Sequence, residues 1–275
     1  MRMKRSLVVV LVLVGLMAGY AKMAFTADAG RLSPVLDRIV AKKELVVGTA
    51  ASMPPLNMTM KDGQIAGLEI DLVQMFANAM DVKLTLRTIP FPELLPALEA
   101  GRVDLVISGM TITPERNMKF AFVGPYFPSG KSILTKQANV GSMKEVHQIN
   151  NPDRVLVALK GSTSQMFAEK FFPKAKLVLT DDYDQAVAMV RQDKAHAMVA
   201  DFPICQVSVF RYPDSELATL KKPLSYEPLG IALQANDPLL VNWLQNSLNT
   251  LERSGQMQAL VEKWFEDSSW VKFLR

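Results

Sequence analysis

A small group of polar residues and one arginine follow an apolar run in the first half of the chain. Thr113 and Pro114 are residue types typical of a helix N-cap and of a first helical position. Free backbone N–H groups at a helix start favour anions, and the planar guanidinium of Arg116, one turn further on, suits a carboxylate. The pattern predicts an anion site to which three preceding residues contribute, namely Ser108, Gly109 and Thr111.

The same spacing leaves a structural interpretation open, in which Arg116 is a surface cation and the polar residues simply end a strand. The strands and helices predicted around these residues help to decide between a ligand site and a structural role. Residues 103–107 predict a buried strand, and residues 91–100 predict the helix before it. A strand, helix, strand order with short connections implies a right-handed parallel crossover and therefore an α/β sheet. Ligands bind at the carboxyl ends of the strands in such sheets, where Arg116 would lie.

The start of the chain's first lobe is predicted from the same patterns. A buried strand is expected at Glu44–Thr49, and an amphipathic helix at residues 67–80. The loop at residues 50–57 leaves the carboxyl end of that strand, so it is expected to line the same crevice. Glu69 and Asp71 are interpreted as helix-start carboxylates that interact with the helix dipole.

The second half of the chain follows the plan of the first. Its strands and helices are predicted at residues 154–159, 164–172, 177–179, 183–192 and 195–200. At a constant offset of 92 residues the two halves match in pattern, so that Gly109 corresponds to Asp201. The match predicts two lobes of similar architecture.

Two extended segments, residues 131–136 and 225–234, are expected to connect the lobes as a hinge. Residues 120–130, which are rich in aromatic residues, glycine and proline, are predicted to form a loop before the first crossing. Lobe 1 would comprise residues 30–133 and 227–275, and lobe 2 residues 134–226. Such a pair of crossings lets two lobes close over a ligand.

The N-terminus has the layout of a secretory signal peptide. Basic residues precede an apolar run at residues 7–18, which is too short for a comfortable bilayer span. Cleavage is expected after residue 29, with residue 21 as an alternative, and an uncleaved anchor is left open. Residues 1–29 carry four basic residues and one acidic residue, so the formal net charge of +4 falls to +1 without them. No nucleic-acid footprint remains.

Cys205 is the only cysteine, so no internal disulfide forms. Its apolar neighbours favour a core position over a role as a nucleophile. His147 and His196 stand apart from any metal-like cluster, so neither a metal nor a cofactor is expected.

Several segments, in this order, resemble the periplasmic solute-binding proteins of ABC importers, in the family that captures polar amino acids. They are ELVVGT, GLEIDL, FPELLPALEAGRVDLVISGMTITPER, LKGSTSQ, AMVADFP and LERSGQMQALVEKWF. The segment that ends in TITPER is the most specific of them. The resemblance implies the two-lobed periplasmic-binding-protein fold of type II, with a mixed β-sheet flanked by helices in each lobe and a two-strand hinge.

The resemblance also implies how an amino acid would be held. Arg116 is expected to pair with the ligand carboxylate, assisted by backbone N–H groups at Thr111 and Thr163. The Gly109 carbonyl, the Thr111 hydroxyl and the Asp201 carboxylate are expected to receive the ammonium group. Ser108 and Ser162 are expected in the same site. Without the resemblance, Asp201 is better interpreted as a helix N-cap.

The pocket for the ligand's side chain is expected at three positions, Ala50, Met53 and Phe91. Relatives often have an aromatic residue in place of Met53. Relatives with basic or amide ligands often have an acidic residue in place of Ala50. A buried ligand cation would lack a partner here, so the sequence predicts a small or apolar amino acid, or a related small carboxylate.

The protein is therefore expected to be a monomeric periplasmic binding protein and not an enzyme. It would close over its ligand and deliver it to an ABC-type permease in the inner membrane. Two alternatives remain. One is a cyclohexadienyl or arogenate dehydratase-like enzyme on the same fold, although Asp201 stands where a glutamate general acid would be expected. The other is a ligand-sensing partner of a membrane receptor.

Overall fold

A computed structural model describes residues 33–137 and 146–274. The strands in chain order are β1 (Glu44–Thr49), β2 (Ser52–Met53), β3 (Asn57–Thr59), β4 (Ile65–Ala66), β5 (Lys83–Thr88), β6 (Leu105–Val106), β7 (Phe120–Ser129), β8 (Lys131–Lys136), β9 (Val155–Leu159), β10 (Lys176–Thr180), β11 (Ala197–Asp201), β12 (Leu217–Thr219) and β13 (Glu227–Gln234). The helices are α1 (Pro34–Lys42), α2 (Leu68–Ala79), α3 (Leu94–Glu99), α4 (Pro114–Asn117), α5 (Thr163–Phe171), α6 (Tyr183–Arg191), α7 (Phe202–Arg211), α8 (Pro238–Arg253) and α9 (Gln256–Val261). Short helical turns of other types lie at Phe91–Glu93, Val146–Ile149, Pro213–Ser215, Glu262–Glu266 and Ser269–Phe273.

The first lobe is built on a five-stranded mixed sheet in the order β5-β1-β6-β13-β7. β1 pairs in parallel with β5 and β6, while β13 runs antiparallel to β6 and β7. The apolar run of β1 is buried along most of its length, and the helices α1, α2 and α3 contact it. The parallel strands therefore direct the loops after β1 and β6 to one edge of the sheet.

The second lobe repeats this plan in a sheet ordered β10-β9-β11-β8-β12. β9 pairs in parallel with β10 and β11, and β8 runs antiparallel to β11 and β12. The helix α5 follows the carboxyl end of β9, and α7 follows that of β11. Both helix starts therefore lie at one edge of this sheet, as the sequence pattern predicted.

The two sheets divide between Ser129 and Lys131. β8 pairs within the second sheet along its whole length, so the crossing lies at Gly130, whereas the sequence placed the lobe boundary after residue 133. A Cβ atom at Gly130 would lie 2.1 Å from the Ser225 carbonyl oxygen in the returning segment. The two crossings therefore pack backbone against backbone.

The loop predicted at residues 120–130 is wrong, because these residues form the ten-residue strand β7. Pro125 and Pro128 suggested a loop, since proline cannot donate a backbone hydrogen bond. β7 lies at the edge of its sheet and pairs only with β13, so the missing donors are tolerated there. The register shifts between Leu229 and Ile231, opposite the Gly124–Pro125 segment.

The other predicted elements of the site-bearing region are confirmed within one or two residues. They include the first strand, which is β1, and the helix predicted at residues 67–80, which is α2. The signal-peptide prediction lies outside the described residues. Within the described ranges, no helix combines the length and the apolar character needed to cross a membrane.

Candidate functional site

The loops after β1 and β6 are tied together at the edge of the first sheet. The Ala50 backbone N–H donates to the Ser108 hydroxyl at 2.9 Å. Ser108 and Thr111 are buried, and the Thr113 hydroxyl accepts a hydrogen bond from the Arg116 backbone N–H at 3.2 Å. Thr113 is therefore the N-cap that the sequence predicted, and it fixes the start of the four-residue helix α4.

The Arg116 guanidinium contacts main-chain oxygen atoms from both lobes. Its Nη1 donates to the Thr111 carbonyl at 2.8 Å, and its Nη2 donates to the Gly161 carbonyl at 3.3 Å. Burial lowers the pKa of Arg116, while the negative charges of Glu227 and Asp201 oppose that change. Arginine remains charged under these conditions. A half-buried cation is thus held where the two lobes meet.

The lobes touch on either side of Arg116. The Thr111 and Thr163 hydroxyl oxygens are 3.2 Å apart, which is hydrogen-bonding distance. A Cβ atom at Gly161 would lie 3.3 Å from the Cβ of Pro92, so the turn before α5 packs against the first lobe. The arrangement is therefore a closed cleft whose rim is made by Thr111, Thr163 and Arg116.

The turn before α5 is preorganised by Ser162. Its hydroxyl accepts from the Gln165 backbone N–H at 3.2 Å and donates to the Leu159 carbonyl at 2.6 Å. These bonds make Ser162 the N-cap of α5 and place Thr163 at the first helical position, where its backbone N–H has no partner within the helix. Ser162 thus orients the turn, while Thr163 faces the first lobe.

Asp201 ends β11 and occupies the N-cap position of α7, yet its side chain makes no capping hydrogen bond. Instead it is buried and accepts three side-chain hydrogen bonds. The donors are Lys131 Nζ at 3.0 Å, Ser129 Oγ at 3.3 Å and Tyr183 OH at 3.3 Å. Burial, and next the Asp201 charge, raise the pKa of Tyr183 well above its usual range. The N-cap interpretation of the Asp201 side chain is therefore wrong.

Lys131 is a partner of Asp201 that the sequence analysis missed. Its side chain is fully buried, and its Nζ also lies 3.5 Å from Glu227 Oε2. The available signal was a lysine shortly before the apolar residues of the strand KSILTK. A buried ammonium group there requires a carboxylate partner, and the nearest strand end supplies one.

Glu69 is the second residue whose role the sequence did not identify. Although it lies in the first turn of α2, its fully buried carboxylate accepts from the Gly109 backbone N–H at 2.7 Å and from Asn57 Nδ2 at 2.7 Å. The Tyr126 hydroxyl also donates to it. Burial raises the pKa of Glu69 to about 7, against the lowering effect of these hydrogen bonds. Its position at the helix start is as predicted, but its side chain points inward to these three donors, which the sequence did not predict.

Gly109 has a φ of +60°, a conformation that side chains with a Cβ rarely adopt. A Cβ atom there would also lie 2.2 Å from the Met53 sulfur atom. Met53 and Phe91 are both buried in the larger hydrophobic cluster, which includes residues of both lobes, and Ala50 is partly buried against it. Of the three residues predicted for the side-chain pocket, Met53 therefore lies against Gly109, and Ala50 is bonded to the neighbouring Ser108.

Within the described ranges, no group of three or more histidine, cysteine, aspartate or glutamate side chains is arranged to hold a metal ion. Cys205 is buried, as predicted, and burial raises the pKa of its thiol. A thiol of this kind is a poor nucleophile.

Comparison with known proteins identifies the family. The model of the bacterial extracellular solute-binding proteins, family 3, matches residues 45–267. The L-cystine-binding protein TcyJ of Escherichia coli K12 is 27% identical over 252 residues, which are 92% of each chain.

Two solved structures are also similar. The ancestral amino acid-binding protein AncCDT-1, a precursor of cyclohexadienyl dehydratase, has a TM-score of 0.78 and 36% identity, with 84% of this chain and 99% of that chain covered. A binding component assigned to an ABC transporter from Wolinella succinogenes, complexed with lysine, has a TM-score of 0.80 and 34% identity, with the same coverage.

The chain therefore belongs to the family 3 bacterial extracellular solute-binding proteins and has their two-lobed fold, as the resemblance predicted. Members of this family bind amino acids and work with ABC transporters outside the cytoplasm.

Proposed function

We propose that this protein captures an amino acid, or a closely related small carboxylate, in the cleft between its lobes. The observation that supports this most strongly is the position of Arg116. Its guanidinium touches a carbonyl from each lobe, next to the Thr111–Thr163 contact. A ligand carboxylate at this point would pair with the cation and with backbone N–H groups of both lobes, so binding would favour the closed state.

The ammonium end of the ligand is proposed to lie toward Asp201, the Gly109 carbonyl and the Thr111 hydroxyl. Glu69 supports this half of the site because it accepts from the Gly109 N–H and thereby orients that peptide group. The Gly109 carbonyl follows directly after this peptide group, so the buried hydrogen bond also restricts its position. Asp201 supplies the only carboxylate at the end of β11.

The ligand's side chain is proposed to be small or apolar. Ala50, Met53 and Phe91 supply the apolar surface for it, and a flexible thioether adapts to side chains of different shape. The structure of the similar Wolinella protein contains lysine. A binding test must therefore compare basic amino acids with small and apolar ones.

Transport is the proposed cellular role, with export by an N-terminal signal peptide to the periplasm and delivery to an inner-membrane ABC permease. The protein would act as a monomer and without catalysis. Similarity to a precursor of cyclohexadienyl dehydratase makes the dehydratase activity worth testing directly. Incubation with prephenate and arogenate, followed by absorbance, is expected to show no turnover. Turnover that depends on the protein would contradict the binding role.

A thermal-shift screen with the proteinogenic L-amino acids and L-cystine, followed by calorimetry, tests the ligand class. A ligand that binds only the folded state raises the melting temperature. We expect the tightest ligand to be small or apolar. Tight binding of arginine or lysine, with no binding of alanine- or leucine-like ligands, would contradict the side-chain assignment. No binding of any of these compounds would contradict the proposed function.

A further inference from the structure

Lys131 lies at the crossing between the lobes and contacts carboxylates from both. Asp201 comes from the end of β11 in the second sheet, and Glu227 is the first residue of β13 in the first sheet. The Nζ atom is hydrogen-bonded to Asp201 at 3.0 Å and is 3.5 Å from Glu227. The Ser225 hydroxyl donates to the other oxygen of the Glu227 carboxylate at 3.2 Å. One ammonium group of the protein is therefore shared between two carboxylates.

This arrangement bears on the proposed ammonium position of the ligand, because Asp201 is already paired with a cation. An incoming ammonium group must compete with Lys131 for the same carboxylate. Glu227 offers Lys131 a second partner at only slightly greater distance. Lys131 can therefore remain paired after a ligand ammonium takes Asp201, which avoids leaving a buried cation unpaired.

Four charged groups around the Lys131 contact balance one another. Arg116 and Lys131 are positive, Asp201 and Glu227 are negative, and both carboxylates act on Arg116. A zwitterionic amino acid adds one charge of each sign and keeps the balance. The corresponding 2-hydroxy acid adds only a negative charge. Because buried charges are costly unless paired, the balance discriminates between the two ligands.

We propose that Lys131 and Glu227 together determine how strongly this protein prefers an α-amino acid to the 2-hydroxy acid with the same side chain. Lys131 competes with the ligand ammonium for Asp201 and so reduces the preference. Glu227 supplies the alternative partner for Lys131 and so restores it. The inference rests on the proposed function, since it assumes a ligand carboxylate at Arg116.

Four forms of the full-length mature protein test the proposal: wild type, Lys131→Gln, Glu227→Gln and the double variant. Calorimetry gives the dissociation constants for the tightest-binding L-amino acid and for its 2-hydroxy counterpart. The ratio of the two constants measures the preference. We expect Lys131→Gln to increase the preference for the amino acid, and Glu227→Gln to decrease it, each by about tenfold. In the double variant no Lys131 competes for Asp201, so the loss of Glu227 has no further effect through it, and the ratio is expected to match that of Lys131→Gln.

In Glu227→Gln, Lys131 stays paired with Asp201, so no buried charge is left unpaired. This variant therefore still tests the proposal if Lys131→Gln does not fold. The inference would be overturned if the ratio of dissociation constants did not change in the two single variants. It would also be overturned if Lys131→Gln decreased the preference for the amino acid and Glu227→Gln increased it. If wild type binds an amino acid through Arg116 and the ratios stay constant, only the inference fails. If folded wild type binds neither ligand class, the proposed function fails and the inference fails with it.

Discussion

The buried carboxylate of Glu69 accepts a hydrogen bond from the backbone N–H of Gly109 at 2.7 Å. These two residues are 40 positions apart in the chain, yet this bond holds the peptide group directly before the Gly109 carbonyl, which is the proposed ammonium contact. Asn57 and Tyr126 also donate to the same carboxylate, so one acidic side chain joins Gly109 to two other segments of the first lobe.

Glu69 is expected to make the stability of the protein depend on pH. Its pKa is about 7 in the folded protein, against 4.5 ordinarily, so the folded state binds more protons between these values. The free energy of unfolding therefore falls as pH rises from about 4.5 to about 7, by at most about 3 kcal/mol from this group. Denaturant unfolding of wild type and Glu69→Gln across this range measures the effect. Parallel curves for the two proteins would show that Glu69 does not titrate there.

Arg116→Ala is expected to weaken ligand binding by at least about 2 kcal/mol, because the carboxylate loses a charged bidentate partner. The melting temperature without ligand should change little, since Arg116 is half-buried and its guanidinium donates to two carbonyl oxygens. Arg102→Ala, which changes an exposed arginine in the same lobe, is the matched control. A melting temperature several degrees lower in Arg116→Ala alone would assign the residue a structural role.

Asp201→Asn is expected to weaken amino acid binding by about 2 kcal/mol or more, because a charge-assisted bond to the ligand ammonium is lost. It also removes the negative charge hydrogen-bonded to Lys131, which leaves that buried ammonium with Glu227 as its carboxylate partner. Calorimetry and thermal unfolding separate the two effects. Unchanged affinity would mean that the ammonium group does not lie at Asp201.

Asp237→Ala is expected to destabilise the fold without changing the ligand preference. Its buried carboxylate accepts from the Leu240 N–H at the start of α8, from the Ser33 hydroxyl, and from the Val35 and Leu36 N–H groups at the start of α1. Loss of bonds at two helix starts should cost about 2–4 kcal/mol. Urea unfolding measures this cost, with the exposed Asp214→Ala as the control. Equal stability of both variants would contradict the capping role.

The amino-acid sequence by itself determined the features that depend on near neighbours. The apolar run of β1, the N-cap at Thr113 and the core position of Cys205 all follow from residue types within a few positions. The order of strands and helices predicted two lobes of one plan, because short connections restrict how such elements can pair.

Only the tertiary structure decided the roles of Glu69, Lys131 and the β7 segment. Glu69 bonds to a residue 40 positions away, and Lys131 pairs with Asp201 across 70 positions. β7 is a strand because β13, more than a hundred residues later, supplies its backbone hydrogen bonds. A local pattern carries no information about such partners, and packing against them fixes the direction in which each side chain points.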